Sequence, residues 1–112
     1  MSDPVSSVLG ESGPGGEPRV GPVLEDLFAL LEQRKTEMPE GSYTTKLLSD
    51  PQEKLLKKIG EEASEVIIAA RDQDRAQLRY EIGDLVYHVL VVMVREGLTL
   101  DDLARELAGR RR

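Results

Sequence analysis

Glu62, Glu65, Glu81 and Asp84 fall into two pairs, each spaced i, i+3. On an α-helix that spacing puts both members of a pair on one face. Carboxylates gathered in this way can bind a hard cation or move protons. At roughly 100° per residue, Glu62 lies beside Leu55, Ile59 and Val66 at the edge of an apolar stripe, with Glu65 on its polar side. Glu81 sits between Leu85 and Asp84 around its own helix, so it too borders a face that must pack. Four carboxylates meeting at a helix seam repel one another and are costly to desolvate unless positive charge sits among them. A divalent cation supplies that charge. With no Cys and a single His in the chain, oxygen ligation favours Mg²⁺, or Mn²⁺, over zinc or copper. Mg²⁺ takes part of its ligand set from substrate phosphates, so such a site implies a phosphorylated substrate. The plainer reading is that acids at helical spacing, like Glu53 with Lys57, only solvate a helix face. Two matching pairs beside apolar stripes argue against it.

Other candidate groups are less specific. His88 follows Asp84 by four residues on the same row and could donate a hydrogen bond to a carboxylate or phosphate, although a lone His at a core edge is more often structural. Lys46, Lys57 and Lys58 could neutralise phosphate charge, although such lysines are usually solvated. Ser42, Tyr43, Thr44 and Thr45 offer hydroxyls and backbone N–H groups suited to phosphate or ribose, and make an ordinary polar loop equally well.

The elements that carry these groups are helical. Val23 to Gln33 places Val23, Leu24, Leu27, Leu30 and Leu31 at helical spacing, with Pro22 suited to a first turn. Arg34 to Ser49 reads as a long irregular connection because of Pro39, Gly41 and its run of hydroxyl residues. Asp50, Pro51 and Glu53 then predict an N-cap, a first-turn proline and a capping-box acid for a long helix ending near Asp72. Asp74 caps the next, whose residues Leu78, Ile82, Leu85, Val89, Val92 and Met93 keep the period until Gly97. The short linker makes these two helices antiparallel neighbours. Thr99 caps a last short helix over Leu100 to Ala108. The expected fold class is therefore all-α, a bundle of four to five helices with two long antiparallel central helices.

Residues 1–20, with Gly13, Pro14, Gly15, Gly16 and Pro18, read as a disordered and dispensable tail, leaving residues 21–112 for one domain. A domain this small, with one Phe and no Trp, gains from oligomerisation. Ile82 to Val94 is apolar around much of its helix and so asks for neighbours on several sides, which points to a homo-oligomer, in the simplest case a dimer. A net charge of −6 makes nucleic acid a poor partner. The longest apolar run is too short to cross a bilayer, and the lack of Cys fits a cytoplasmic protein.

Three stretches carry a family resemblance: Gly41-Ser42-Tyr43-Thr44-Thr45-Lys46-Leu47, Lys57-Lys58-Ile59-Gly60-Glu61-Glu62-Ala63-Ser64-Glu65-Val66 and Glu81-Ile82-Gly83-Asp84-Leu85-Val86-Tyr87-His88. From Val23 to about Leu107 the chain resembles the phosphoribosyl-ATP pyrophosphatases of histidine biosynthesis. The acidic pairs mark the wider all-α nucleotide pyrophosphatase superfamily, and the Ser-Tyr-Thr segment and Tyr-His ending mark the histidine branch. The resemblance implies a dimer with Mg²⁺ on Glu62, Glu65, Glu81 and Asp84. It also implies hydrolysis of phosphoribosyl-ATP to phosphoribosyl-AMP and pyrophosphate. Substrate would meet Ser42, Tyr43, Thr44, Lys46, Lys57, Lys58 and His88. Some relatives are fused to a cyclohydrolase; this chain is expected to be monofunctional. The rival readings are a house-cleaning nucleoside-triphosphate pyrophosphatase of the same fold, against which the segment from Gly41 to Leu48 argues, and a non-catalytic helical dimerisation module.

Overall fold

The computed structural model describes residues 17–110, and the expected tail falls largely outside them. Among the described residues the chain is all helical: α1 Val20–Glu37, α2 Tyr43–Ser49, α3 Gln52–Arg71, α4 Arg75–Glu96 and α5 Leu100–Ala108. Val20, expected to end the tail, is the first residue of α1.

The α3–α4 pair forms the most extensive contact in the molecule. Only Asp72 to Asp74 separate the end of α3 from the start of α4. At the far end the Gln52 amide, in the first residue of α3, donates to the Glu96 carboxylate, in the last residue of α4, over 2.8 Å. The two helices are therefore antiparallel, as expected. Asp74 caps α4 by accepting from the Gln77 N–H. Gly97 ends it with φ 79°, a left-handed conformation that a side chain would strain.

Helix α1 overruns its expected end by a full turn. Arg34 and Lys35 suit the negative end of a helix, and the Lys35 ammonium donates to the Val94 carbonyl at 2.9 Å, fastening that turn to α4. The expected irregular connection is corrected as well. Its second half is α2, a seven-residue helix whose N-cap, Ser42, accepts from the Thr45 N–H. At its other end the Arg95 guanidinium donates to the Leu47 carbonyl at 2.8 Å, satisfying a backbone acceptor that a helix end leaves open. Asp50 is the C-cap of α2, not the N-cap of α3. Its N–H is spent on the Lys46 carbonyl, and Pro51 takes the N-cap position of α3 with no side-chain cap.

The core lies where α1, α2, α3 and α4 meet. Leu31, Leu55 and Val91 are its most buried apolar residues, with Phe28, Leu47 and Leu90 around them. Helix α5 leans on it through Leu100 and Leu103. Thr99 and Asp102 form the capping box of α5. Hydrogen bonds from Thr99, with help from Arg105, hold the Asp102 carboxyl below its ordinary pKa.

Candidate active site

One open cleft is lined by Lys58, Glu61, Glu62 and Glu65 of α3 and by Tyr80, Glu81 and Asp84 of α4. Antiparallel packing brings the two acidic pairs together, and all four acids singled out in the sequence line this cleft. Glu62 and Glu81 are buried, each 6% exposed, so their carboxylates sit at the helix seam rather than in bulk water. Asp84 is half-buried and Glu65 exposed. The Gln77 amide donates to Glu81 Oε2 at 3.2 Å.

Among the described residues Lys58 is the one basic side chain lining the cleft. Its ammonium lies 3.3 Å from Glu62 Oε1. Partial burial works against the charged form, but the proximity of Tyr43, the hydrogen bond to Glu62 and the charges of Glu62 and Glu61 outweigh it and leave the Lys58 pKa raised. One cation thus stands among five acids. Glu62, Asp84 and His88 each have a potential ligand atom within 4.8 Å of the others, a grouping of the kind that could hold a metal ion.

The ring of His88 lies behind this cleft, 1% exposed. Its Nδ1 is 2.7 Å from the Asp84 carbonyl oxygen, an atom that can only accept, so the ring proton sits on Nδ1 and donates there. In that neutral tautomer Nε2 accepts, and the Tyr43 hydroxyl, 2.8 Å away, donates to it. The Asp84 carboxylate lies further off, 3.7 Å from Nδ1. One residue along on each helix, the hydroxyls of Thr44 and Tyr87 are hydrogen-bonded to each other in the core.

The substrate-binding candidates therefore separate. Lys58 lines the cleft. Lys46 and Lys57 are exposed and lie outside its lining. Ser42 caps α2, Thr44 is buried against Tyr87, and Tyr43 and His88 bond to each other. Glu61 and Tyr80 were not singled out by pattern. The available signal was spacing, since Glu61 stands i, i+4 to Glu65 and Tyr80 stands i, i+4 to Asp84, each beside an acid already chosen.

A family model described as phosphoribosyl-ATP pyrophosphohydrolase matches residues 24–111. The chain belongs to that family. A phosphoribosyl-ATP pyrophosphatase of Clostridium botulinum is 49% identical over 89 residues, 80% of this chain and 81% of that one. One from Limosilactobacillus fermentum is 47% identical over 87 residues, 78% of this chain and 82% of that one. The histidine biosynthesis bifunctional protein HisIE of Halalkalibacterium halodurans is 43% identical over 106 residues. This chain spans 50% of the length of that relative, matching over 95% of its own. The stretch matched by the family model includes all three segments that carried the resemblance, so α2, α3 and α4, and with them the acidic cleft, lie within the family's domain.

Proposed function

We propose that the cleft between α3 and α4 binds Mg²⁺ through Glu62, Glu65, Glu81 and Asp84 and hydrolyses phosphoribosyl-ATP to phosphoribosyl-AMP and pyrophosphate. Family membership makes the chain a hydrolase of histidine biosynthesis. The observation that supports the site is the convergence of the two acidic pairs on one cleft with a single lysine among them. That donor set fits a hard divalent ion: oxygen ligands dominate, and two of the carboxylates are buried. Bound there, the ion would neutralise charge on the phosphates and on the departing pyrophosphate. The chain's own groups do the rest. Lys58 presents a compact cation to a phosphate oxygen, and one carboxylate of the cleft orients or deprotonates the water that attacks between the α and β phosphates.

Pyrophosphate release from the purified chain tests the assignment, with phosphoribosyl-ATP, ATP and dUTP in parallel, with and without Mg²⁺. The expected result is Mg²⁺-dependent turnover of phosphoribosyl-ATP far above the other two. Turnover of dUTP without phosphoribosyl-ATP would overturn it in favour of a house-cleaning enzyme.

Two lysine substitutions measure how far substrate reaches beyond the cleft. Lys58→Gln removes the cation lining it and is expected to raise KM for phosphoribosyl-ATP about tenfold, roughly 1.4 kcal/mol. Lys46→Ala, on the exposed side of α2, is expected to raise KM by a smaller factor and to leave stability within about 0.5 kcal/mol, as surface changes do. Unchanged kinetics with a lowered melting temperature would make Lys46 structural.

The working form we propose is a cytoplasmic homodimer. Ile82, Val86 and Val89 form an exposed apolar stripe on α4, continued by Leu78 between Arg75 and Arg79, and this stripe is the surface that supports a self-association. No helix among the described residues is long and apolar enough to cross a membrane.

A further inference from the structure

We propose that Tyr43 and His88 form a hydrogen-bonded brace that holds Asp84 in position for the metal, with His88 acting as a positioning residue and not as a ligand. The inference rests on the metal reading of the cleft and adds to it a role for α2. His88 stands close enough to Glu62 and Asp84 to be counted as a third ligand. Ligation needs a ring nitrogen with a free lone pair aimed at the ion. Neither nitrogen offers one. Nδ1 spends its proton on the Asp84 carbonyl, and the Nε2 lone pair receives the Tyr43 hydroxyl.

The ring is also held against rotation. It stands edge-on to Tyr87, with centroids 5.0 Å apart, and edge-on to Tyr43 at 5.9 Å. Turning it to face the cleft would break both hydrogen bonds of a ring that is itself buried, where unpaired polar groups are costly. In its present pose it fixes the backbone of Asp84 from behind, which restricts where the carboxylate can reach.

The brace originates in α2. Tyr43 opens that helix, Ser42 caps it, and Thr44 ties the same turn to Tyr87, so two consecutive residues of α2 bond to two consecutive residues of α4. Helix α2 thus has a structural task at the site, and the Ser-Tyr-Thr segment serves the metal through His88 without touching it.

The test is Mn²⁺ binding to the metal-depleted full chain without substrate, followed by the electron paramagnetic resonance signal of free Mn²⁺. Tyr43→Phe keeps the ring and removes only the hydroxyl. His88→Asn places an amide N–H where Nδ1 stood, keeping the Asp84 contact and losing the one to Tyr43. Both are expected to weaken Mn²⁺ binding about tenfold, the range seen when a hydrogen-bond partner behind a metal ligand is lost. The double variant should be no worse than either single one, because each breaks the same link. Leu31→Val, a core change remote from the cleft, should lower the melting temperature and leave Mn²⁺ affinity at the wild-type value. With saturating Mg²⁺, Tyr43→Phe should lower kcat while KM for phosphoribosyl-ATP stays within about twofold.

Wild-type Mn²⁺ affinity in Tyr43→Phe would overturn the brace, and a raised KM beside it would return Tyr43 to the substrate site. Near-complete loss of Mn²⁺ binding in His88→Asn, with Tyr43→Phe unaffected, would make His88 a ligand and overturn it too. No binding by the wild type at millimolar Mn²⁺ would overturn the metal reading and the brace together.

Discussion

Glu81→Gln and Asp84→Asn are each expected to lower Mg²⁺-dependent pyrophosphate release at least about a thousandfold, roughly 4 kcal/mol of transition-state stabilisation. Both changes keep side-chain shape and remove one negative charge. They are cleaner probes than Glu62, whose loss would also leave the half-buried Lys58 without its partner; neither Glu81 nor Asp84 is paired with a lysine or arginine among the described residues. Without metal the variants should be as stable as the wild type or more so, because repulsion among the cleft carboxylates is relieved. The Gln77 amide can still donate to the oxygen of a glutamine at position 81. With Mg²⁺ at a hundredfold excess over its Kd, the wild type should gain about 2.7 kcal/mol by mass action, and the variants much less. Opposite responses in the two conditions are the signature of a metal site. Melting curves in chelator and in Mg²⁺, run beside the activity assay, measure all three quantities. Equal Mg²⁺ shifts in wild type and variants, with turnover retained, would remove these residues from the site.

The acidic cleft was legible because its geometry is almost wholly local. An i, i+3 spacing fixes a helix face, and a linker of three residues fixes the antiparallel return, so the meeting of the two pairs follows from short-range rules. Helix α2 was not legible for the opposite reason. Seven residues are too few for a helical period to show, and Tyr43, Thr44 and Thr45 are indifferent helix formers. What makes that segment helical is long-range: the bonds of Tyr43 to His88, of Thr44 to Tyr87 and of the Leu47 carbonyl to Arg95, all spanning more than forty residues of chain. The misplaced cap at Asp50 has the same origin, since with no helix expected before it the residue could only be read as the start of the next one. His88 shows a further limit. Its place on the acidic row can be read from spacing, but how its two nitrogens are engaged depends on a tyrosine from another helix.

Val86→Asp is expected to raise the dissociation constant of the proposed dimer at least about a thousandfold, roughly 4 kcal/mol, while leaving the single chain folded. The argument turns on which side of α4 is covered. Tyr87, Leu90 and Val91 are buried within the chain, yet Ile82, Val86 and Val89 are 44%, 37% and 39% exposed although all three are apolar. At roughly 100° per residue these three share one narrow sector with Arg75, Leu78 and Arg79, on the opposite side of the helix from Asp84. A charge placed there meets water in the single chain, so folding should be little affected. In a symmetric dimer the same patch faces itself, so both copies bring a carboxylate into an apolar contact at once. An uncompensated buried charge costs about 3–5 kcal/mol, and the two would also repel. Sedimentation equilibrium over a range of chain concentrations measures the constant, and far-UV circular dichroism checks that the helices persist. Because the stripe points away from the cleft, Mn²⁺ binding by the dissociated chain then reports whether one subunit holds a complete metal site. A Val86→Asp chain that still sediments as a dimer would place the self-association on a different face, and a wild type that sediments as a single chain would overturn the dimer.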